Sequence, residues 1–229
     1  MSWVKDRGIR AICFDVDGTF YPKRQMDIRL LRTSILHLPF SLRYNAMRQE
    51  IRRRNGLSDP GALDHDAFSE LECSIMYPVR PGMLDAFRQR EKRLFHDKWE
   101  KSFMTIKPYP FLKNALFKAE SEGLALGVLS DFPLGSKLKA LGIEDFFSYK
   151  ASTESCGVLK PAKTPFRLML ESMGYKPEEV LYVGDSESKD VKGAKNYGMH
   201  ACLINKGSRK DSDADIVVLD WKDFADRVL

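Results

Sequence analysis

Two aspartates, Asp15 and Asp17, follow directly after a short apolar run near the start of the chain, and Gly18 comes next. An apolar run of this length that ends at a glycine is typical of a buried strand followed by a tight turn. Side chains at positions i and i+2 of a strand share a face, so a cation could lie between the Asp15 side chain and the neighbourhood of Asp17. Two close carboxylates repel each other unless a positive charge separates them, and oxygen ligands suit Mg²⁺. The alternative is an ordinary Asp-Gly turn in which Asp17 bonds its own backbone.

Three later segments repeat this arrangement of an apolar run followed by polar residues. They contain, in chain order, Ser130 and Asp131, then Lys160 before Pro161, and finally Asp185, Ser186 and Asp190. Each segment alone has an ordinary explanation, because a serine after a strand is often a helix cap and a Gly-Asp-Ser sequence is often a turn. Their occurrence together, each at the end of a predicted strand, indicates a single site.

The residues after position 105 alternate between strand and helix patterns. The predicted strands cover 124–129, 147–151, 180–183, 201–204 and 215–219, and the predicted helices cover 111–122, 136–141, 164–173, 188–197 and 221–228. Strands that alternate with helices predict an α/β fold, with a doubly wound parallel sheet covered on both faces. Ligands of such sheets bind outside the carboxyl ends of the strands, which is where the polar residues lie.

The segment between the first and second predicted strands shows only helical patterns. Apolar spacing predicts helices at 27–38, from Ser41 to Gly56, at 64–76 and at 82–103, with Pro39 ending the first and Ser41 capping the second. A segment of roughly eighty residues is too long for a connection within a compact domain. We therefore expect residues 1–22 and 106–229 to form one domain and residues 23–105 to form an inserted, all-helical one.

The net charge of +5 lies entirely in this insert, which has 16 Lys and Arg against 11 Asp and Glu, whereas the rest of the chain has 21 of each. A solvated helical surface is the commonest reason for such an excess. A positive lid that attracts a negatively charged small substrate is a second interpretation. Nucleic-acid binding is a third, but no nucleic-acid-binding motif accompanies the charge. In the run Arg52-Arg53-Arg54, at most one or two side chains can face a common site, because successive residues of a helix point in different directions.

The cysteines and the apolar runs bear on the compartment. The chain has four cysteines, which form neither a CxxC pair nor a zinc-binding spacing, namely Cys13, Cys73, Cys156 and Cys202. Cys13 and Cys202 lie within apolar runs, which predicts buried free thiols and fits a reducing cytoplasm. No apolar run approaches the ~20 residues of a membrane span, and the first residues lack the apolar core of a secretory signal. We therefore expect a cytoplasmic protein without membrane contact.

Four segments of the chain carry the motifs of a known family. They are DVDGT at Asp15–Thr19, LSD at Leu129–Asp131, LKP at Leu159–Pro161 and GDSESKD at Gly184–Asp190. With these motifs in this order, essentially the whole chain resembles the haloacid dehalogenase-like hydrolase superfamily. The helical insert resembles the C1 cap of that family, and the arrangement is similar to the subfamily of phosphoglycolate phosphatase and β-phosphoglucomutase. The resemblance implies a Rossmann-like core with a mobile helical cap.

The resemblance also implies roles for the acidic residues. Asp15 would be the nucleophile that forms an aspartyl-phosphate. Asp17 would protonate the leaving oxygen and then activate water for the second step. Mg²⁺ would be held by Asp15, by the backbone carbonyl of Asp17 and by Asp185.

The remaining motif residues are implied to bind phosphate or to support the metal. Those that the resemblance assigns to the substrate phosphate are Thr19, Ser130, Asp131 and Lys160. Lys160 would also offset the charge that develops during the reaction. Asp190 and Ser186 would act from the surrounding layer, supporting the waters of the metal or Lys160. Asp131 departs from the family pattern, in which Asn is common, and adds a negative charge beside the site.

The identity of residue 17 distinguishes the chemistries within the family. Members that cleave carbon–halogen or phosphonate bonds lack the second aspartate, whereas an alkoxide leaving group needs a proton. We therefore expect a Mg²⁺-dependent phosphatase that acts on a small phosphorylated metabolite. A phosphomutase of the same family is the nearest alternative, and a non-catalytic, phosphate-binding regulatory protein is the alternative from another class.

Overall fold

A computed structural model describes residues 2–25, 38–78, 82–97, 103–205 and 211–229. Six strands form one sheet, namely β1 Ala11–Phe14, β2 Ala125–Ser130, β3 Tyr149–Ser152, β4 Val180–Gly184, β5 His200–Ile204 and β6 Ile216–Val218. They are parallel throughout, in the order β3-β2-β1-β4-β5-β6. This order reverses the direction of winding beside β1 and confirms the predicted doubly wound, Rossmann-like sheet.

Helices connect the strands on both faces of the sheet. They are α1 Trp3–Asp6, α2 Leu38–Leu57, α3 His65–Met76, α4 Leu84–Glu91, α5 Leu112–Ser121, α6 Lys137–Leu141, α7 Lys163–Met173, α8 Lys192–Asn196 and α9 Trp221–Arg227. A π-helical segment, Lys92–Asp97, follows α4, and another, Glu187–Val191, precedes α8. Short 3-10 turns cover Glu144–Phe146, Thr153–Cys156 and Pro177–Glu179.

The side chains of β1 explain why both faces of the sheet are covered. Ile12 and Phe14 lie in a buried cluster with α5 and α9, whereas Ala11 and Cys13 lie in a second cluster with α7 and α8. All four residues of β1 are fully buried. A strand buried on both faces must be continuously apolar, which is why this short run had no polar alternation.

The described residues between β1 and β2 have helical secondary structure and a cluster of their own. Met47 and Ile51 of α2 pack with Phe68 of α3 and Phe87 of α4, and the cluster also includes Leu159, which precedes Lys160. The segment is therefore joined to the sheet domain at a residue next to a predicted site residue.

Two helices of this segment differ from the sequence-based expectation. The described α2 contains Pro39 and Ser41, so the predictions that Pro39 ends a helix and that Ser41 caps the next are wrong. The predicted helix at 82–103 is π-helical at Lys92–Asp97. The side chain of Asp64 accepts a hydrogen bond from the Ala67 amide at 2.7 Å, which explains why α3 begins where predicted. The predicted helix at 27–38, except Leu38, and residues 98–102 of the predicted helix at 82–103 lie outside the described residues.

Two further expectations concern the thiols and the membrane. All four cysteines are free and buried, as predicted for Cys13 and Cys202. Among the helices that the structure describes, none combines the length and the apolar composition that a bilayer crossing requires.

Replacing Phe14 by alanine should lower the free energy of unfolding by about 3–5 kcal/mol, because it opens a cavity among the rings of Phe20, Phe147, Trp221 and Phe224. Phe117→Ala is the matched control, since that ring is 64% exposed, and it should change stability by less than about 0.5 kcal/mol. Urea unfolding of both variants measures the difference. Equal losses in the two variants would contradict the placement of β1 in the core.

Candidate active site

The predicted site residues lie together at the carboxyl ends of three adjacent strands. Asp15 directly follows β1, Ser130 ends β2, and Asp185 directly follows β4. The amide of Asp15 donates to the carbonyl oxygen of Val183 at 2.9 Å, which continues the β1–β4 pairing into the site. Lys160 comes from the connection between β3 and α7. The parallel sheet therefore brings four separated sequence segments to one edge, as predicted.

Lys160 is fully buried and joins Asp15 to Asp190. Its Nζ lies 2.8 Å from Asp15 Oδ1 and 2.7 Å from Asp190 Oδ1. It also donates to the Tyr182 hydroxyl at 3.0 Å, and it lies 3.3 Å from the carbonyl oxygen of Leu129. Burial acts to lower the pKa of Lys160, yet the two carboxylates raise it well above its ordinary value. Lys160 is thus a permanent cation beneath Asp15.

Asp15 has a different electrostatic environment from Asp17. Burial raises the pKa of Asp15 to about 7, although Lys160 acts to lower it. The other oxygen of Asp15 accepts a hydrogen bond from the Thr19 hydroxyl at 3.3 Å. Thr19 is buried, and the described contact of its hydroxyl in the site is with the Asp15 carboxylate.

Asp17 is held by three donors that Asp15 does not share. Lys137 Nζ lies 2.9 and 2.8 Å from its two carboxylate oxygens, and Ser130 Oγ donates at 3.0 Å. The hydroxyl of Tyr21 donates to the same carboxylate. Burial acts to raise the pKa of Asp17, but Lys137, Tyr21 and Ser130 together hold this pKa below its usual value.

Lys137 is the site residue that the sequence analysis missed. It lies in the first turn of α6 and is almost fully buried, between the rings of Phe103 at 5.1 Å and Phe132 at 5.9 Å. A lysine in a short amphipathic helix normally points to solvent. The sequence offers one indication that Lys137 belongs to the site, namely that it lies in the helix directly after the Ser130 loop.

Three carboxylates form a cluster that fits a hard divalent cation. One oxygen from each of Asp15, Asp185 and Asp190 lies within 4.8 Å of the others. Asp185 Oδ1 is buried with no hydrogen-bond partner among the described residues. Burial raises the pKa of Asp185, and the nearby charge of Asp190 raises it further. Both oxygens of Asp190 already accept hydrogen bonds, from Lys160 at 2.7 Å and from the Ser186 amide at 3.1 Å. Both oxygens of Asp15 accept hydrogen bonds as well, from Lys160 and Thr19, so Asp185 is the one carboxylate of the three with an oxygen that has no described partner.

Gly18 provides the close approach between the first motif and Asp185. Its φ of 103° is a conformation that side chains rarely adopt, and a Cβ at this position would overlap Asp185 Oδ2. The tight turn predicted after Asp17 is therefore also what allows the Asp185 carboxylate to lie beside it.

The Asp131 carboxylate contacts the inserted helical segment through Arg52. Its Oδ2 accepts from Arg52 Nε at 3.2 Å, and its Oδ1 lies 3.4 Å from the Thr153 hydroxyl. Although burial opposes it, Arg52 and Lys160 hold the pKa of Asp131 well below its usual value. The binding of substrate phosphate by Asp131 therefore stays a prediction, and the described contacts of its carboxylate are with Arg52 and Thr153. Of the arginine run, Arg52 contacts this edge, whereas its two neighbours pair with Glu50 at the surface.

A cavity of about 610 Å³ opens over the two carboxylates Asp17 and Asp185. Its walls carry three lysines, namely Lys23, Lys189 and Lys192. Lys23 and Lys192 are exposed, and Lys189 is partly buried. Burial acts to lower the pKa of Lys189, but the carboxylates Asp190, Asp15 and Asp131 raise it above its usual value. The site therefore favours the charged form of Lys189. The cavity therefore combines a carboxylate floor with cationic walls, which suits an anionic ligand bound together with a metal ion.

Comparisons with known proteins identify the family of the chain. A family model described as haloacid dehalogenase-like hydrolase matches residues 12–204. A glyceraldehyde 3-phosphate phosphatase of Methanocaldococcus jannaschii is 29% identical over 217 residues, which cover 90% of each chain. The pyrophosphatase PpaX of Halalkalibacterium halodurans is 24% identical and covers 96% of this chain and 97% of its own.

Solved structures show the same fold. A phosphatase structure from Thermococcus onnurineus has a TM-score of 0.59 at 22% identity, and covers 95% of this chain and 97% of its own. The L-2-haloacid dehalogenase of Xanthobacter autotrophicus has a TM-score of 0.64 at 19% identity, with the same two coverages. At these identities, the likeness to solved structures concerns the fold.

Replacing Gly18 by alanine should weaken the binding of Mg²⁺ by roughly 10- to 100-fold, because the new Cβ displaces Asp185. Gly61→Ala is the matched control, since Gly61 also has a positive φ, of 76°, but nothing lies within 4 Å of its Cβ position. Calorimetric titration with Mg²⁺, beside thermal unfolding of both variants, separates backbone strain from loss of the site. Equal Mg²⁺ affinities in the two variants would show that Asp185 is not a ligand.

Proposed function

The chain belongs to the haloacid dehalogenase-like hydrolase family and is a phosphatase, and we propose that it hydrolyses a small phosphomonoester through an aspartyl-phosphate on Asp15, with Mg²⁺ as cofactor. The observation that carries this proposal is the pair Asp15 and Asp17, which stand two residues apart and have separate lysine partners, with Asp17 lining the cavity. One carboxylate is thereby available as a nucleophile and the other for proton transfer.

In the first step, an oxygen of Asp15 attacks phosphorus and the bond from phosphorus to the leaving oxygen breaks. Lys160 fixes one Asp15 oxygen and remains charged, so it offsets the negative charge that this step concentrates in a buried site. Ser130 ends β2 and its hydroxyl donates to Asp17 at 3.0 Å, and we assign it to the transferring phosphoryl group. When bound, Mg²⁺ would reduce the repulsion between the phosphate and Asp15, with Asp15, Asp185 and the backbone carbonyl of Asp17 holding it.

Asp17 serves both steps through one proton. A phosphate placed beside Asp17 raises the pKa of this carboxyl, because like charges disfavour its ionised form, and this favours the protonated acid that the leaving oxygen needs. After the leaving group departs, Asp17 is ionised and held by Lys137. It then accepts a proton from the water that attacks phosphorus, the bond from phosphorus to Asp15 breaks, and inorganic phosphate is released.

The helical segment that follows β1 is proposed to act as the cap. Its helices α2 to α4 pack together and contact the loops beside Ser130 and Lys160. A cap at this edge would exclude bulk water from the aspartyl-phosphate while leaving room for the one molecule that hydrolyses it. We accordingly propose residues 23–105 as the cap and residues 1–22 and 106–229 as the catalytic domain.

A panel of phosphomonoesters tests the function, with inorganic phosphate as the readout and with Mg²⁺ present or chelated. The panel comprises triose and hexose phosphates, phosphoglycolate, nucleotides and 4-nitrophenyl phosphate. We expect hydrolysis of at least one small ester, its loss on chelation, and its loss in Asp15→Asn. Asp213→Asn is the matched control, since Asp213 lines the same cavity but is exposed. Isomerised esters without phosphate release would indicate a phosphomutase instead, and binding without any turnover would indicate a regulatory protein.

Asp17→Asn should show a dependence on the leaving group. Its rate should fall by roughly 10²–10⁴-fold on an alkyl phosphate, which needs a proton on the leaving oxygen. The loss in the rate of the first step should be much smaller on 4-nitrophenyl phosphate, because nitrophenolate leaves without protonation. Pre-steady-state release of nitrophenolate measures that step apart from hydrolysis of the intermediate. Equal losses on both substrates would remove Asp17 from the role of acid.

Lys189→Met should raise the KM of the best substrate by roughly 10-fold, the order expected for one lost hydrogen bond to a charged group. Lys189→Arg should retain most of the affinity, because it keeps the positive charge at the wall of the cavity. Lys192→Met is the matched control, since Lys192 lines the same cavity but is exposed. Steady-state kinetics at fixed ionic strength measures the effect, and an equal KM for the two methionine variants would argue against Lys189 as a phosphate-facing cation.

A further inference from the structure

One face of α2 contacts the two loops that carry Ser130 and Lys160. Arg48, Arg52 and Asn55 stand four and three residues apart, so they lie along the same side of the helix. Arg48 and Arg52 contact Asp131, which directly follows Ser130. Asn55 contacts Leu159, which directly precedes Lys160. A single helix of the inserted segment thus contacts both loops.

Arg48 anchors the helix to the sheet domain. It is fully buried, and its guanidinium donates to the carbonyl oxygen of Asp131 at 2.6 Å and to Glu154 at 2.7 Å. It also lies 3.2 Å from Glu72 of α3. A buried arginine with two carboxylates and a carbonyl is costly to disrupt, because removing it leaves unpaired charges. Arg48 therefore has a structural role that Arg52 and Asn55 do not need to duplicate.

Arg52 acts on the Ser130 loop through a second, more accessible contact. Its Nε and Nη2 both lie 3.2 Å from Asp131 Oδ2, and its side chain is 20% exposed. The adjacent residue of this loop, Phe132, donates its amide to Ser130 Oγ at 3.2 Å, so the hydroxyl depends on the conformation of the loop. Because α2 is already held by Arg48 and by its apolar cluster, loss of the Arg52 contact frees the loop without undocking the helix.

Asn55 makes the corresponding contact to the Lys160 loop. Its Nδ2 donates to the carbonyl oxygen of Leu159 at 3.0 Å, and the side chain is buried. The next residue, Gly56, passes so close to Pro161 that a Cβ there would lie 3.6 Å from Pro161 Cγ. The end of α2 therefore lies against the residues on both sides of Lys160.

We propose that Arg52 and Asn55 are positioning residues, which hold the loops of Ser130 and Lys160 in their reactive arrangement from the inserted helical segment. The inference rests on the proposed phosphatase function. It adds that docking of α2 and assembly of the phosphoryl-binding groups are one event, so the site is complete only when this helix is seated. Asp131 is then the residue through which Arg52 acts, in place of a substrate ligand.

Kinetics of Arg52→Gln, Asp131→Ala and their double variant test the contact. Each single variant should lower kcat by roughly 10- to 100-fold with KM changed less than threefold, as for other groups that orient a site residue. The double variant should be no worse than either single one, because the two residues act through one interaction. Arg52→Lys should recover part of kcat. Arg53→Gln is the matched control on the same helix, since Arg53 pairs with Glu50 at the surface.

A direct substrate contact of Arg52 predicts a different result. Arg52→Gln would then raise KM, and Asp131→Ala would lower it by releasing the guanidinium toward the ligand. Either this pattern or additive losses in the double variant would overturn the proposal.

Amide hydrogen exchange supplies a readout that needs no turnover. In the absence of substrate, Arg52→Gln should speed exchange in residues 128–134, and Asn55→Ala should speed it in residues 157–162, with Arg53→Gln like the wild type. Thermal unfolding of each variant verifies that the fold is kept. If the wild type hydrolyses no ester, the proposed function fails while this experiment still reports on the loops. Protection unchanged by both variants would refute the positioning role.

Discussion

The carboxyl edge of the sheet buries Asp15 and Asp190, and half-buries Asp17, together with Lys137 and Lys160, the two lysines that neutralise them. Unpaired charges at this depth would be strongly destabilising, so each carboxylate must have its cation and each cation its acceptors. The sheet register, the first turn of α6 and the loop before α7 are arranged around these pairs. At this edge, Asp185 Oδ1 is a buried oxygen without a hydrogen-bond partner among the described residues, and a bound metal ion would supply that partner.

The ion pairs Asp15–Lys160 and Asp17–Lys137 give different chemical properties to two aspartates that stand two residues apart in sequence. Asp15 has a raised pKa and a lysine that contacts one of its oxygens, whereas Asp17 has a lowered pKa and a lysine that contacts both. Environments that push the pKa values of two carboxyl groups apart separate their roles in a reaction. In the proposed mechanism, Asp15 must be ionised to bond to phosphorus, a form that Lys160 favours and burial opposes. Asp17 is the group whose pKa an arriving phosphate would raise.

The sequence predicted the sheet and the site edge because both follow from local pattern. Apolar runs, glycines and the polar residues after them depend on neighbours within a few positions, and the parallel sheet then brings their ends together. Lys137, Arg48 and Arg52 were not predicted as site contacts, because their partners lie 79 to 120 residues away in the chain. A run of three consecutive arginines, Arg52 to Arg54 in a helix, does not indicate which one turns inward. The contact of Asp131 with Arg52 was not predicted for the same reason, since its neighbour in space comes from another segment.

Borohydride trapping of the intermediate tests the central claim most directly. Enzyme in excess is mixed with substrate and Mg²⁺, quenched in acid within the first turnover, and reduced, which converts an aspartyl-phosphate to homoserine. Mass spectrometry of the peptide that contains residue 15 then locates the modified side chain. The account predicts homoserine at position 15, present when substrate is added and absent from the substrate-free control. Phosphate release with residue 15 recovered only as unmodified aspartate, or with the modification at another residue, would contradict it.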